Sequence, residues 1–275
     1  MIKKIIHVSD LHIRTFQLHD MYKRQFKLFI DDVKERIGDY NYDEVRVVIT
    51  GDIAHQKINI SNEQMMLTSW FLTQLYENIG PVIIIPGNHD FLENNVSRLD
   101  SITPIVEMLD SDNVTYYKNS GVYEDENINW VTYSLYQHNQ KPEFDREDGK
   151  FYVGLFHGPI QGLSTDLGFE FENAYSPLNF VDLDLLLCGD IHKRQMFELP
   201  NGGRAIMIGS LIQQNFGETI NHHGYGIYDI EKGIYDIEKN EYHTYDIENE
   251  QPFLHFSISD ISDIENESEK LLNIR

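Results

Sequence analysis

Short apolar runs near the start of the chain alternate with stretches whose apolar residues recur every three or four positions, the pattern of an α/β fold. Ile2 to Val8 reads as a first strand, Val45 to Thr50 as a second and Pro81 to Ile85 as a third. The third is apolar throughout, as in a strand buried on both faces. Between them, Tyr22 to Ile37 predicts an amphipathic helix with Tyr22, Phe26, Phe29, Ile30, Val33 and Ile37 on one face. Ser61-Asn62-Glu63-Gln64 has capping-box spacing and starts a helix carrying Met66, Trp70 and Leu75. A further helix is expected around Ile102 to Leu109.

Beyond this the texture becomes strand-rich: Ile128 to Leu135, Phe151 to Phe156, Leu183 to Leu187, Met196 to Leu199, Ala205 to Ile208 and Tyr225 to Ile230. Asn201-Gly202-Gly203 is a hairpin turn signal. Parallel strands with helices, followed by a mostly antiparallel half, predict two packed sheets with helices outside. Asn139 to Lys150 reads as a polar surface loop, and the long excursion from Gly158 to Asn179 as a functional one. Gly226 to Lys232 is repeated without a gap as Gly233 to Lys239, a tandem duplication that lengthens a hairpin over 226–247. Two copies are too few for a solenoid. Residues 1–250 are expected to form one domain. Residues 251–275 would be an acidic tail or a short partner-binding segment.

Charge changes this picture. Acidic residues number 45 against 22 basic, a net charge of −23 with histidine neutral. Such a field attracts divalent cations and opposes nucleic acid, whose binding rests on Lys and Arg displacing counterions. Glu231 onward is especially acidic, so part of the charge belongs away from any site. One cysteine, Cys188, excludes an internal disulfide framework and points to the reducing cytoplasm. No apolar run is long enough to span a membrane or to form a signal peptide.

Five segments place metal-type ligands just past predicted strands: Asp10-Leu11-His12, Gly51-Asp52, Gly87-Asn88-His89-Asp90, His157-Gly158 and Gly189-Asp190-Ile191-His192. Loops beyond the carboxyl ends of α/β strands converge on the ligand site. One such segment alone is an ordinary turn; five in order, each behind its own strand, specify a site. Mixed oxygen and nitrogen donors suit manganese, iron or zinc better than calcium or magnesium alone. Two such ions can clamp a phosphate and acidify a water beside it.

The ordered set resembles the calcineurin-like metallophosphoesterases, and within them the SbcD-type nucleases and their phage relatives. His7-Val8-Ser9-Asp10-Leu11-His12, Gly51-Asp52-Ile53-Ala54-His55 and Ile208 to Glu218 bring it to that subgroup. The resemblance implies a four-layer α/β/β/α sandwich. It also implies a two-metal DNA nuclease of recombination or phage DNA metabolism, with Mn2+ favoured over Mg2+, Fe2+ or Zn2+. Asp10, His12 and His192 would hold one ion and Asn88, His157 and Asp190 the other, with Asp52 bridging. His89 would contact the scissile phosphate and protonate the leaving oxygen, with Asp90 orienting it. His55 matches a position near the phosphate and reads equally as a loop histidine. Lys57, Lys193 and Arg194 lie beside these segments, as backbone-phosphate contacts or as ordinary surface charge.

Implied partners are DNA, an SbcC-type SMC-like ATPase, and a second copy through the helix that starts at Ser61. Two features depart from the family. Many members have Gly-His-x-His where this chain has Gly189-Asp190-Ile191-His192. Cellular relatives also continue into a capping domain and an ATPase-gripping helix, whereas about 25 residues follow Gln251 here. A metallophosphatase or phosphodiesterase acting on small nucleotides or phosphoproteins is the alternative, and it suits the acidic charge better.

Overall fold

The first sheet is built from strands whose two faces are both apolar, so successive residues feed different cores. In the computed structural model, which describes residues 1–14, 16–137, 140–230 and 241–254, Ile5, Val48 and Ile83 point between two sheets. Their neighbours Ile6, Val47 and Ile84 point outward, under helices. This period of two is why β3, at Val82–Ile84, reads as a continuous apolar run. The strands are β1 (Lys4–Val8), β2 (Val45–Ile49), β3 (Val82–Ile84) and β4 (Val114–Tyr116), all parallel. Antiparallel β11 (Gly224–Asp229) and β12 (Glu241–Asp246) extend the sheet past β1, giving the order β12-β11-β1-β2-β3-β4.

The second sheet runs β5-β6-β7-β8-β10-β9. Its strands are β5 (Gly121–Asp125), β6 (Ile128–Tyr133), β7 (Phe151–His157), β8 (Leu185–Gly189), β9 (Gln195–Glu198) and β10 (Arg204–Met207). Trp130, Val153, Leu155, Leu187 and Ile206 meet the first sheet, and Tyr152, Phe156, Leu186, Cys188 and Met207 face away from it. Arg46 on β2 forks onto the Asp125 carboxylate at 2.7 and 2.8 Å, and the Trp130 indole N–H donates to the same group, pinning the sheets together at one edge.

Helices α1 (His19–Ile37), α2 (Asn62–Asn78) and α3 (Thr103–Leu109) lie on the first sheet. All six apolar positions expected of α1 are buried. Ser61 caps α2 by accepting from the Gln64 amide at 3.2 Å. The architecture is the expected α/β sandwich of two mixed sheets flanked by helices. Over the second sheet the outer layer consists of 3-10 turns, Leu135–Gln137 and Pro177–Asn179, with the 158–184 excursion packed on Phe156, Leu186 and Met207. Among the described residues no helix is long and apolar enough to cross a membrane.

Three expectations are corrected. The strand-rich half is less uniformly antiparallel than expected: β6, β7, β8 and β10 all run the same way, and the antiparallel pairings are those of β5, β9, β11 and β12. The 158–184 excursion is the reason, because it crosses over between β7 and β8 as a parallel connection must. Strands β4 and β5 escape the sequence pattern, being edge strands with mixed burial. On α2 the buried stripe is Leu67, Phe71, Leu72 and Leu75, whereas Met66 is 73% exposed. The hairpin expected over 226–247 has its strands in β11 and β12; the second repeat copy and the tail beyond Leu254 lie outside the described residues.

Candidate metal centre

Five strand ends supply the site. Strands β1, β2 and β3 are neighbours in one sheet, β7 and β8 in the other, and the loops after their carboxyl ends meet across the sandwich. The chain pays for the sharp turns in backbone strain. Asp10, His12, Asp52 and Asp190 have φ of 52°, 44°, 53° and 103°. For non-glycine residues each such position costs of order 1–3 kcal/mol and persists only where its surroundings enforce it. Hydrogen bonds do so here: Asp10 N donates to Gly51 O at 3.2 Å, His12 N to Asp52 O at 2.9 Å, and Asp190 N to the Asp10 carboxylate at 3.2 Å.

The turns gather the predicted ligands. His12 Nε2 lies 3.4 Å from Asp52 Oδ2, 3.9 Å from Asp10 Oδ1 and 2.9 Å from His192 Nε2. His157 Nε2 lies 3.4 Å from Asp52 Oδ1 and 3.8 Å from Asp190 Oδ1. Asn88 Nδ2 is 3.2 Å from Asp190 Oδ1. Asp10, His12 and His192 therefore form one group and Asp10, Asp52 and His157 an overlapping second, with Asp190 and Asn88 adjoining His157 and the two Asp52 oxygens facing His12 and His157.

The residues fit a pair of divalent cations on three grounds. His157 Nδ1 donates to Thr50 O at 2.6 Å, which turns Nε2 into the site, buried and without a hydrogen-bond partner. The Asn88 amide oxygen is likewise buried without a partner. Buried orphan acceptors are costly unless an unseen group satisfies them. Glycines make room: a Cβ on Gly87 would lie 2.2 Å from Asp52 Oδ1, and one on Gly51, at φ 90°, 2.6 Å from His157 Nδ1.

Electrostatics give the third ground. Burial raises the Asp190 pKa to about 6, reinforced by Asp10 and Asp52. Burial would lower His157, yet Asp52, Asp10 and Asp190 hold it well above the ordinary imidazole value. The cluster thus draws positive charge, and divalent ions supply it.

Comparison with known proteins covers the stretch that carries these residues. The family model for calcineurin-like phosphoesterases matches residues 3–194, from β1 to just past the His192 segment. The chain belongs to the calcineurin-like phosphoesterase family. A curated relative, the uncharacterized protein R555 of Acanthamoeba polyphaga mimivirus, is 37% identical over 235 residues, covering 81% of this chain and 17% of that protein. This phosphoesterase chain thus spans about a sixth of that relative's length. Among solved structures, TT1561 of Thermus thermophilus aligns at TM-score 0.52 and 10% identity over 89% of this chain and 99% of its own, a likeness of fold. A dimetal phosphatase from Danio rerio aligns at TM-score 0.46 and 12% identity, over 83% of this chain and 92% of its own.

Within this phosphoesterase site several expectations change. Asp90 does not orient His89. Its fully buried carboxylate accepts from the amides of Asp52, Ala54 and Gly87 at 2.8–2.9 Å, so it ties the second ligand loop to the third. Burial, then the Asp52 charge, push its pKa up to about 7 despite those bonds. The His89 ring is held instead by His55 O, which accepts from Nδ1 at 2.7 Å, while Asp52 Oδ1 accepts from the His89 amide at 2.8 Å. Arg194 is not available to a phosphate: it is engaged by Asp246 at 2.7 Å and by the carbonyls of Ile208 and Tyr245. Lys57 pairs with Glu93 at 3.4 Å. Lys193 lines a cavity beside Asp190 and His192. His55 does join the cluster, its ring 5.4 Å from His12 and 5.8 Å from His89, and burial, Arg14 and His89 lower its pKa to about 4.

Two residues escaped the sequence reading of roles. Arg14, two positions after His12, donates to Gln214 O at 2.6 Å and bears electrostatically on His55. Glu218 accepts from His192 Nδ1 at 2.7 Å, which presents Nε2 to the metal site, and from Gln214 N at 2.6 Å. Glu218 ends the stretch from Ile208 that carries the resemblance, but its role was not legible because it acts on a ligand 26 residues away. Glu218→Gln is expected to weaken the ion held by His192 roughly 10–100-fold while leaving the other nearly unchanged. Titration calorimetry with Mn2+ would show one weakened step; two unchanged steps would deny Glu218 this role.

Proposed function

We propose that this phosphoesterase hydrolyses phosphodiester bonds in DNA, as exonuclease or endonuclease, using two divalent ions with Mn2+ preferred. The observation that carries the reading is the placement of Ile208 to Glu218, the stretch that resembles the SbcD-type nucleases. Leu211 N donates to Ser9 O, Ser210 N donates to His192 O, and Glu218 grips His192. The stretch that resembles nucleases is therefore part of the wall of the metal centre, not a remote appendage.

When bound, the ions would polarise the phosphoryl oxygens and acidify the attacking water. The chain's own residues do the rest. Asp10, His12 and His192 would hold one ion and Asn88, His157 and Asp190 the other, with Asp52 shared between them. His89, with Nδ1 donating to His55 O, has Nε2 left for substrate. To deliver a proton from Nε2 to the leaving oxygen the ring must carry both protons. His55 lies beside His89 and suits a phosphate oxygen, and Arg14, bonded to Gln214, bears on it electrostatically.

In this reading the chain works in the cytoplasm as the nuclease subunit beside an SMC-like ATPase, in recombination or viral DNA metabolism. The viral source of the curated relative supports a virus-encoded enzyme. A second reading, a phosphatase or diesterase for small nucleotides or phosphoproteins, is favoured by the net charge of −23.

The deciding experiment compares turnover of linear duplex DNA, single-stranded DNA, a chromogenic diester and a monoester with Mn2+. Degradation of DNA, lost on chelation, is expected. Preference for the monoester with DNA untouched would replace the nuclease reading by the phosphatase one.

Asp190 sets the metal. With Asp10 and Asp52 it makes three carboxylates, leaving a net charge of about +1 on a pair of divalent ions where a two-carboxylate site would have about +2. A harder donor set and a weaker Lewis acid follow. Asp190→His is expected to shift relative affinity from Mn2+ toward Zn2+ by about tenfold, read by competitive metal binding. An unchanged ratio would dismiss the idea.

A further inference from the structure

A cavity of about 270 Å³ opens beside the metal centre, with Asp190 and His192 in one wall and Thr165, Leu167 and Phe171 of the 158–184 excursion in the other. Its construction is specific. Gln195 pins the excursion's stem, its amide N–H donating to Ser164 O at 2.9 Å and its amide oxygen accepting from Ser164 N at 3.1 Å. A turn closed by Thr165 N donating to Phe169 O projects Leu167 over Gly217, where an added Cβ would meet Leu167 at 3.3 Å. The wall is thus held at its base and apolar at its tip. Leu167 is 81% exposed and Phe169 62%, and Phe169 meets Phe171 edge-on with centroids 5.6 Å apart.

Such side chains have no packing role, and next to a phosphoryl site they match one kind of occupant. With Asp190 assigned to a metal ion and Glu218 bonded to His192 Nδ1, the remaining charges in the walls are Asp166 and Lys193, and no other Lys or Arg stands among the described lining residues. A duplex needs a run of cations along its backbone phosphates, and this wall offers Lys193 alone. A nucleobase is uncharged and has an aromatic face that stacks on Phe whatever its sequence. We propose that this cavity receives the base of the nucleotide adjoining the scissile phosphate, so that the substrate is taken as an unpaired nucleotide at a strand end. The proposal rests on the DNA reading above and names the form of DNA that the site accepts.

The test compares single-stranded oligonucleotides that carry bases throughout with ones whose terminal residues at both ends are abasic. KM for Mn2+-dependent cleavage is expected to rise roughly tenfold without the terminal base, about 1.4 kcal/mol. Phe171→Ala is expected to erase that difference and Phe171→Trp to restore it. In parallel, 2-aminopurine at the oligonucleotide ends should lose fluorescence on binding the His89→Ala protein, but not on binding a protein that also carries Phe171→Ala.

Cleavage with equal KM for both substrates, or a preference that survives in Phe171→Ala, overturns the base subsite and leaves the nuclease reading standing. No cleavage of any DNA overturns both. A change of oligomeric mass in Phe171→Ala with base discrimination intact overturns the subsite in favour of a protein contact.

Discussion

Replacing Asp52 by alanine is expected to abolish phosphodiester hydrolysis, lowering kcat/KM by about 10³-fold or more, and to release both metal ions together. Its two carboxylate oxygens are divided between the ligand groups. Asp52 Oδ2 lies 3.4 Å from His12 Nε2, and Oδ1 lies 3.4 Å from His157 Nε2. The residue is 2% exposed; burial would raise its pKa, yet the ring of His157 holds it below the ordinary carboxylate range. It is therefore ionised where the ions need it. Alanine also removes the acceptor for the His89 amide, so the loop carrying Asn88 and His89 loses an anchor. Asp52→Asn separates these effects, because its amide oxygen can still accept that bond while its charge is gone. Metal content by mass spectrometry and turnover of a chromogenic diester give the answer. If Asp52→Asn and Asp52→Ala each lost one ion and kept the other, Asp52 would belong to a single metal and the bridging role would be withdrawn.

That Asp52 could be singled out from sequence, and Glu218 could not, shows where the reading reaches its limit. Strand-end ligands are legible because a β strand fixes where its next residues go. A β-branched run such as Val47 to Ile49 followed by Gly51-Asp52 states both the support and the chemistry. The seven predicted metal-site residues, Asp10, His12, Asp52, Asn88, His157, Asp190 and His192, are brought into one cluster for that reason. What failed depended on three-dimensional partners. Arg194 sits next to a ligand in sequence, yet its guanidinium turns away to Asp246 and Tyr245. Asp90 sits beside His89, but in this turn the Asp90 carboxylate points back at the amides of Asp52, Ala54 and Gly87.

The direction of strands in the second sheet was misread for a related reason. Hairpin turn chemistry is local and visible at Asn201-Gly202-Gly203, where β9 and β10 do pair antiparallel. Parallel pairing leaves no such mark, because its connections are long and irregular, as between β7 and β8. The strain at Asp10, His12, Asp52 and Asp190 was equally invisible. Aspartate and histidine at positive φ follow no spacing rule; they are imposed by the convergence of loops on one point.

His89→Ala should separate the chemistry from the metals. Its ring lies 4.9 Å from that of His12 and at right angles to it, oriented by His55 O rather than by any metal ligand. The substitution removes no predicted metal donor, so metal content is expected to stay at the wild-type level. Turnover of DNA should fall by about 10²–10⁴-fold, the usual worth of a positioned general acid. The leaving group decides whether protonation is the role. A deoxyribose alkoxide leaves poorly without a proton, whereas nitrophenolate is stable enough to leave alone. For a nitrophenyl diester the loss should therefore shrink to about tenfold. An equal loss on both substrates would mean that His89 binds the phosphate without donating to the leaving oxygen, and the proton would have to come from His55 or from solvent. The burial that lowers His55 to about 4 keeps its ring neutral near pH 7 and makes it the poorer donor. A double variant with His55→Ala distinguishes the two: no further loss is expected if His89 alone carries the proton, and a second multiplicative fall if the two share it.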